Sequence, residues 1–341
     1  MERGGVGESR GEVIARRLKT VPAVVLGLVI VTALAPALLA VSVIVDTVRF
    51  AGSRKPFMAT RLLAFLWIYL AGETVGLLAL GGLWVGAGFG RRREWMVEWT
   101  WRFQQVWAGW MFWGASRVMG LRVEVEGQEA LAPGPVIVLV RHASIVDNLL
   151  PSVFVARAHR IHLRYVMKRE LLSDPCLDVA GKRLPNYFVR RDTGEAVEVE
   201  NVRRLAEGLG PEDGLLLYPE GTRFTEERRL RAIEKVRERD PERADRVEQL
   251  VHLLPPKVGG FLAVLDGAPG VDVVVMAHAG FDGLRLISDM WQGALVGRII
   301  TVGFTRTARS AIADDTAGRV LWLDAAWLKA DVWIGNQLHK P

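Results

Sequence analysis

The chain has 341 residues, half of them hydrophobic, and a formal net charge of +6. Its length exceeds one average domain, and its single cysteine, Cys176, excludes an internal disulfide framework and a thiolate metal cluster. The basic balance favours an anionic partner; with the apolar excess concentrated in the first 90 residues, that partner is expected to be a lipid surface, and no nucleic-acid motif is present.

Residues 1–20 form a basic tail with Arg16, Arg17 and Lys19 near its end. From Val21 to Val45 no residue is charged, and 25 residues at 1.5 Å each make a helix of roughly 37 Å, enough to cross a hydrocarbon core of about 30 Å with some tilt. A second apolar run, Leu62 to Phe89, is interrupted only by Glu73 and closes on Arg91, Arg92 and Arg93. Residues 21–90 are therefore expected to be a two-helix membrane anchor that returns the chain to its starting side. A cleaved signal peptide is one rival, since Ala33-Leu34-Ala35 resembles a cleavage site, although the apolar run continues beyond it. A hairpin that dips in without crossing is another, because Arg49, Arg54, Lys55 and Arg61 in the connecting loop leave the positive-inside count undecided. Glu73 is costly if ionised at mid-membrane, so it is expected to be neutral, paired or turned towards protein.

Residues 91–120 hold six of the twelve tryptophans and read as a helix. Tryptophan joins an apolar body to one polar N–H and favours the headgroup zone, so this segment is expected to lie on the membrane; packing against a soluble core is the alternative. From Leu121 to the C-terminus the pattern changes to short apolar runs alternating with charged helical stretches. Val136–Val140, Leu163–Met167, Tyr187–Val189, Leu215–Tyr218, Val271–Met276 and Ile299–Phe304 read as strands, and Glu195–Leu209 as a helix, which argues for one α/β domain over 121–341. Glu226 to Glu248, dense in both charge signs around Pro241, reads as a solvated helix pair or lid.

Two segments carry chemistry. His142 and Asp147 stand five apart between the buried-strand pattern Val136–Val140 and a helix expected from Asp147, so His142 should project from a strand end, where active-site groups of α/β sheets collect. Tyr218-Pro219-Glu220-Gly221-Thr222-Arg223 follows another apolar strand, and if the two strands are neighbours both segments share one edge. Gly221 would let the backbone approach a ligand closely, and Arg223 offers a planar fork suited to phosphate. Ser144 reads as structural, since no separate base is at hand for it, and His159 and His162 lack metal-binding partners.

These segments resemble the signature blocks of the glycerolipid acyltransferase family, which includes 1-acylglycerol-3-phosphate acyltransferase. His142 and Asp147 match the family's His-x4-Asp block, and Glu220 to Arg223 its Glu-Gly-Thr-Arg block. Phe188-Val189-Arg190-Arg191 is similar to the block that ends in a phosphate-contacting arginine, which would be Arg191, although Pro185 stands where that block usually opens with glycine. Lys168 opens a Lys-Arg-Glu-Leu sequence that recurs in the family and either helps to hold an anionic headgroup or packs locally. The stretches Glu220 to Glu226, His252 to Lys257 and Trp327 to Asp331 look like the branch containing lysocardiolipin and related lysophospholipid acyltransferases. The family's last block, a proline in a valine-rich strand, has no counterpart in Val273-Val274-Val275-Met276, and no residue is carried over from it.

The resemblance implies a mixed sheet flanked by helices behind the N-terminal membrane helices, and an enzyme of phospholipid biosynthesis. It would move a fatty acyl group from acyl-CoA or acyl carrier protein to a lysophospholipid, with lysophosphatidate the expected acceptor and no metal or other cofactor. His142 would be the general base and Asp147 its orienting partner, while Lys168, Arg191, Glu220, Gly221, Thr222 and Arg223 would bind substrate. Backbone N–H groups near Gly221 or after His142 could hold the oxyanion. The catalytic domain would face the cytoplasm from the inner membrane. A phospholipid-to-lysophospholipid transacylase and a non-catalytic lipid-binding scaffold of the same fold are the alternatives.

Overall fold

Ser9 opens the first helix with a reciprocal cap: its hydroxyl accepts from the Glu12 N–H at 3.2 Å while the Glu12 carboxylate accepts from the Ser9 N–H at 2.8 Å. The computed structural model describes residues 8–144, 147–189, 195–284 and 287–340. It divides into two compact units, Met1–Gly114 with Lys168–Leu184, and Ala115–Met167 with Pro185–Pro341. The expected domain over 121–341 is thus interrupted, because the 168–184 segment belongs with the N-terminal helices.

In the first unit the helices α1 (Arg10–Ala33), α2 (Ala35–Ser53) and α3 (Ala59–Gly86) are followed by α4 (Arg93–Met119), most of which belongs here. The single helix expected over Val21–Val45 is broken at Leu34. Pro36 is the cause: it has no N–H for the Thr32 carbonyl, and its ring crowds the preceding turn. Among the described residues, the two helices long and apolar enough to cross a membrane are α2 and α3, and they support membrane association. Asp46 near the end of α2 is fully buried and caps α3 from a distance, accepting from the N–H groups of Met58, Ala59 and Thr60 at 2.8 to 2.9 Å.

Glu73 is fully buried and paired, one of the outcomes expected for it. Its carboxylate accepts from Trp107 Nε1 and from the backbone N–H of Cys176, each at 3.0 Å, at the start of the Pro175–Arg183 helix. Helix α4 packs closely on α3 because Gly72 and Gly76 have no side chain: a Cβ on Gly72 would fall 2.6 Å from Met111, and one on Gly76 3.2 Å from Phe103. Of the α4 tryptophans, Trp95, Trp99, Trp110 and Trp113 are exposed, whereas Trp101 is buried.

The second unit is built on a seven-stranded sheet in the order β1-β7-β6-β2-β5-β3-β4. The strands are β1 (Arg122–Glu126), β2 (Val136–Val140), β3 (His162–Lys168), β4 (Tyr187–Val189), β5 (Asp213–Leu217), β6 (Asp272–Ala279) and β7 (Ile299–Thr307). Neighbours run parallel across β6-β2-β5-β3, β7 is antiparallel to β6, and β1 is parallel to β7, so the sheet is mixed as expected. Every residue of β2 is buried, as a central strand covered on both faces requires. One face of the sheet packs on the Val258–Gly267 and Thr316–Leu338 helices through Leu217, Val275, Phe261, Val264, Leu323 and Trp327. The charge-dense stretch forms two helices, Glu226–Arg237 and Pro241–Val247. It is not wholly a solvated face, because Arg243 is buried and its guanidinium donates to Asp324 at 2.9 to 3.1 Å.

Candidate active site

Strands β2 and β5 are parallel neighbours with Leu139 opposite Leu217, so the chain leaves both at the same end of the sheet. On the other side of β2, β6 places Met276 opposite Val140. Three segments thus meet at one strand end: Arg141 to Asp147 after β2, Tyr218 to Arg223 after β5, and the last residues of β6. Pro219 ends the ladder of β5 because it has no N–H to donate.

His142 Nδ1 lies 3.2 Å from Asp147 Oδ1 and 3.3 Å from Oδ2. Asp147 is fully buried, and its Oδ2 also accepts from the backbone N–H groups of Ala143 and Ser144, each at 2.7 Å. Facing a carboxylate held as an acceptor, Nδ1 is assigned the hydrogen, which leaves Nε2 as the basic nitrogen. The imidazole rests against the Tyr218 ring, centroids 4.9 Å apart. Burial, and after it the charge of Asp147, push the Tyr218 hydroxyl well above its ordinary range, so it stays protonated.

Glu220 departs from the expected role as a substrate contact. It is 2% exposed, and its two oxygens accept from the backbone N–H groups of His142 at 2.7 Å and Leu254 at 3.0 Å. It therefore braces the segment that carries His142. Burial pushes its carboxyl up to about 8 against those two donors. Gly221 has φ +65°, and a Cβ there would lie 2.9 Å from Lys257 Nζ, so Lys257 lies over the glycine turn. Thr222 and Arg223 continue the same loop, both partly exposed. The Phe224 N–H donates to the His142 carbonyl at 2.8 Å, tying this loop to the histidine.

Among the other expected site residues, Lys168 closes β3, is exposed, and belongs to the first unit. Arg191 lies outside the described residues. Of the N–H groups in these two stretches, those of Ala143 and Ser144 hold Asp147, and that of Gly221 donates to the Tyr218 carbonyl at 3.0 Å. Ser144 is fully buried, in line with its structural reading. Among the described residues, no group of three or more His, Cys, Asp or Glu side chains could hold a metal ion.

Sequence reading missed three neighbours of the pair. Arg141, 1% exposed, donates from Nη1 to the His278 carbonyl and from Nη2 to Asp282 Oδ1, each at 2.5 Å. His278 itself is fully buried, with Nε2 3.7 Å from Asp147 Oδ2. A histidine within an apolar strand was the available signal, but the predicted strand stopped at Met276, two residues short of it. Lys257 was read only as part of a resemblance.

Residues 122–277 match the Acyltransferase family model. The fold is similar to the crystal structure of the 1-acyl-sn-glycerophosphate (LPA) acyltransferase PlsC from Thermotoga maritima, with a TM-score of 0.50 and 14% identity over 82% of this chain and 99% of that one. No curated protein sequence matches the chain. The family match thus lies within residues 122–277, and the likeness to the crystal structure is one of fold.

Proposed function

We propose that this protein, whose sheet unit carries the acyltransferase match, is a membrane-associated O-acyltransferase. It transfers a fatty acyl group from a thioester of coenzyme A or acyl carrier protein to the free hydroxyl of a lysophospholipid, with 1-acylglycerol-3-phosphate as the acceptor. The observation that carries this reading is the pairing of His142 with a buried carboxylate at the end of a central strand. A thioester is already activated, so the remaining need is to take a proton from the attacking hydroxyl. His142 Nε2 accepts that proton as the oxygen bonds to the acyl carbon; the tetrahedral intermediate then expels the thiolate, and His142 returns the proton to the sulfur. No acyl-enzyme is required.

Asp147 keeps Nδ1 protonated and stabilises the imidazolium that forms, and Glu220 holds the His142 backbone in place. Arg223 and Arg191 are assigned to the acceptor phosphate, with Gly221 and Thr222 lining the approach. A scaffold would have no need of an oriented base. The test is transfer of labelled acyl groups from acyl-CoA and acyl carrier protein to a panel of lysolipids by the purified protein in detergent. His142→Ala should lower turnover by the 10² to 10⁴ typical of a lost general base without changing the melting temperature, and Asp147→Asn should also fall steeply by favouring the wrong tautomer. More than about a tenth of wild-type turnover in His142→Ala would overturn the mechanism.

A further inference from the structure

Strand β6 carries one polar side chain in a buried apolar run, His278 between Ala277 and Ala279. Its Nε2 lies 3.2 Å from the Arg141 carbonyl oxygen. A carbonyl oxygen only accepts, so Nε2 carries the hydrogen and donates. The ring stands edge-on to Phe281 with centroids 5.9 Å apart, and Nδ1 meets no hydrogen-bond partner among the described residues. A half-satisfied imidazole is costly in such a place, where leucine would fill the space without penalty.

The surroundings supply a reason for it. Arg141 immediately precedes His142, and its guanidinium donates back to the His278 carbonyl, so the ends of β2 and β6 are clasped in both directions. The same Nε2 edge stands 3.7 Å from Asp147 Oδ2, the oxygen that also takes the Ala143 and Ser144 N–H groups. We propose that His278 is a positioning residue for acyl transfer: through the Arg141 carbonyl and its contact with Asp147, it fixes the strand end from which His142 works and the carboxylate that orients it.

Protonation of His278 would set a second cation against Asp147 in competition with His142. Burial prevents this, holding His278 down to about 4, with Arg141 acting in the same direction and Asp147 and Asp282 against it. The role rests on the acyl-transfer reading above, and the experiment separates the two. Full-length wild type, His142→Ala, His278→Leu, His278→Gln and His278→Asn are purified in detergent and assayed with labelled acyl-CoA or acyl carrier protein thioester and 1-acylglycerol-3-phosphate, with both substrates varied.

Absence of wild-type transfer defeats the function itself, and its persistence in His142→Ala defeats the mechanism on which the role of His278 rests. Given transfer that depends on His142, His278→Leu should lose roughly tenfold or more in kcat with both KM values within about twofold, the scale of one buried hydrogen bond lost at a site that acts only on turnover. His278→Gln, whose amide can still donate to the Arg141 carbonyl, should recover most of that loss, and the shorter His278→Asn should not. Wild-type kcat in His278→Leu, a loss confined to KM, or equal impairment of the glutamine and asparagine variants would each overturn the proposal. The last comparison stands even if the leucine variant does not fold.

Discussion

Glu220 and His278 lie on either side of the pair and are displaced from their ordinary ionisation in opposite senses. Glu220 rises from 4.5 to about 8, so between those values the folded chain holds a proton that the unfolded chain has lost. Its contribution to stability is complete below 4.5 and disappears as pH rises through about 8. His278 falls from 6.5 to about 4, so its contribution is complete above 6.5 and is lost on acidification. The two oppose each other from 4.5 to 6.5, and from 6.5 to about 8 only Glu220 acts. The melting-temperature advantage of wild type over Glu220→Gln should therefore shrink as pH rises across that upper window, and a difference independent of pH would refute the assignment. Arg223 offers a second residue-scale prediction. Because lysine does not reproduce a bidentate guanidinium–phosphate contact, Arg223→Lys should raise the KM for lysophosphatidate more than the KM for the acyl donor. A rise in the donor KM alone would assign Arg223 to the thioester carrier instead. His142, Asp147 and the Glu-Gly-Thr-Arg loop were legible because their spacing is local. The inward turn of Glu220 was not, since it depends on Leu254, 34 residues further on.

At the scale of elements, the long-range cap made by Asp46 decides how α3 begins. Three backbone N–H groups converge on one carboxylate, and no local side chain caps that helix. Asp46→Ala should cost about 0.5 to 2 kcal/mol, the usual range for a lost N-cap, read as a lower melting temperature in detergent. An unchanged melting temperature would mean that packing alone sets the start of α3. The sequence shows Asp46 only as the first charge after an apolar run; its partners lie beyond the turn. Strands β2 and β4 matched their predicted limits because apolar runs bounded by polar residues mark buried strands well. Strand β1 was missed because Arg122, Glu124 and Glu126 alternate with two valines at the sheet edge, leaving too little apolar signal. The break at Leu34 was hidden by uniform apolarity, although Pro36 was in view.

At the scale of the whole molecule, two described helices are long and apolar enough to cross a membrane, and a pair that both cross or both dip would return the chain to its starting side. Acyl thioesters are cytosolic, so the proposed reaction requires the N-terminus and the sheet unit to face the cytoplasm. Cysteines introduced at Ser9 and Thr225 should resist an impermeant reagent added outside intact cells and react after permeabilisation. Labelling of either from outside would refute this orientation. An α/β class was legible from the alternation of runs; the two-unit division was not, because Lys168–Leu184 resembles its neighbours in composition and differs only in what it packs against.

That excursion limits how the protein can be cut. The chain leaves the sheet after β3, buries Leu172, Cys176 and Ala180 in the helical unit, and comes back at β4. Cys176 and Ala180 are covered there by Leu80 and its neighbours on α3 and α4. No single scission separates the sheet unit from the helical unit, since a fragment starting at Leu121 would keep the inserted segment while losing the helices that shelter it. Such a fragment should elute as aggregate in size-exclusion chromatography, whereas replacing 168–184 with a short polar linker should improve its dispersity. A monodisperse, well-folded Leu121–Pro341 fragment would show that the inserted segment can find cover without the helices it now packs against.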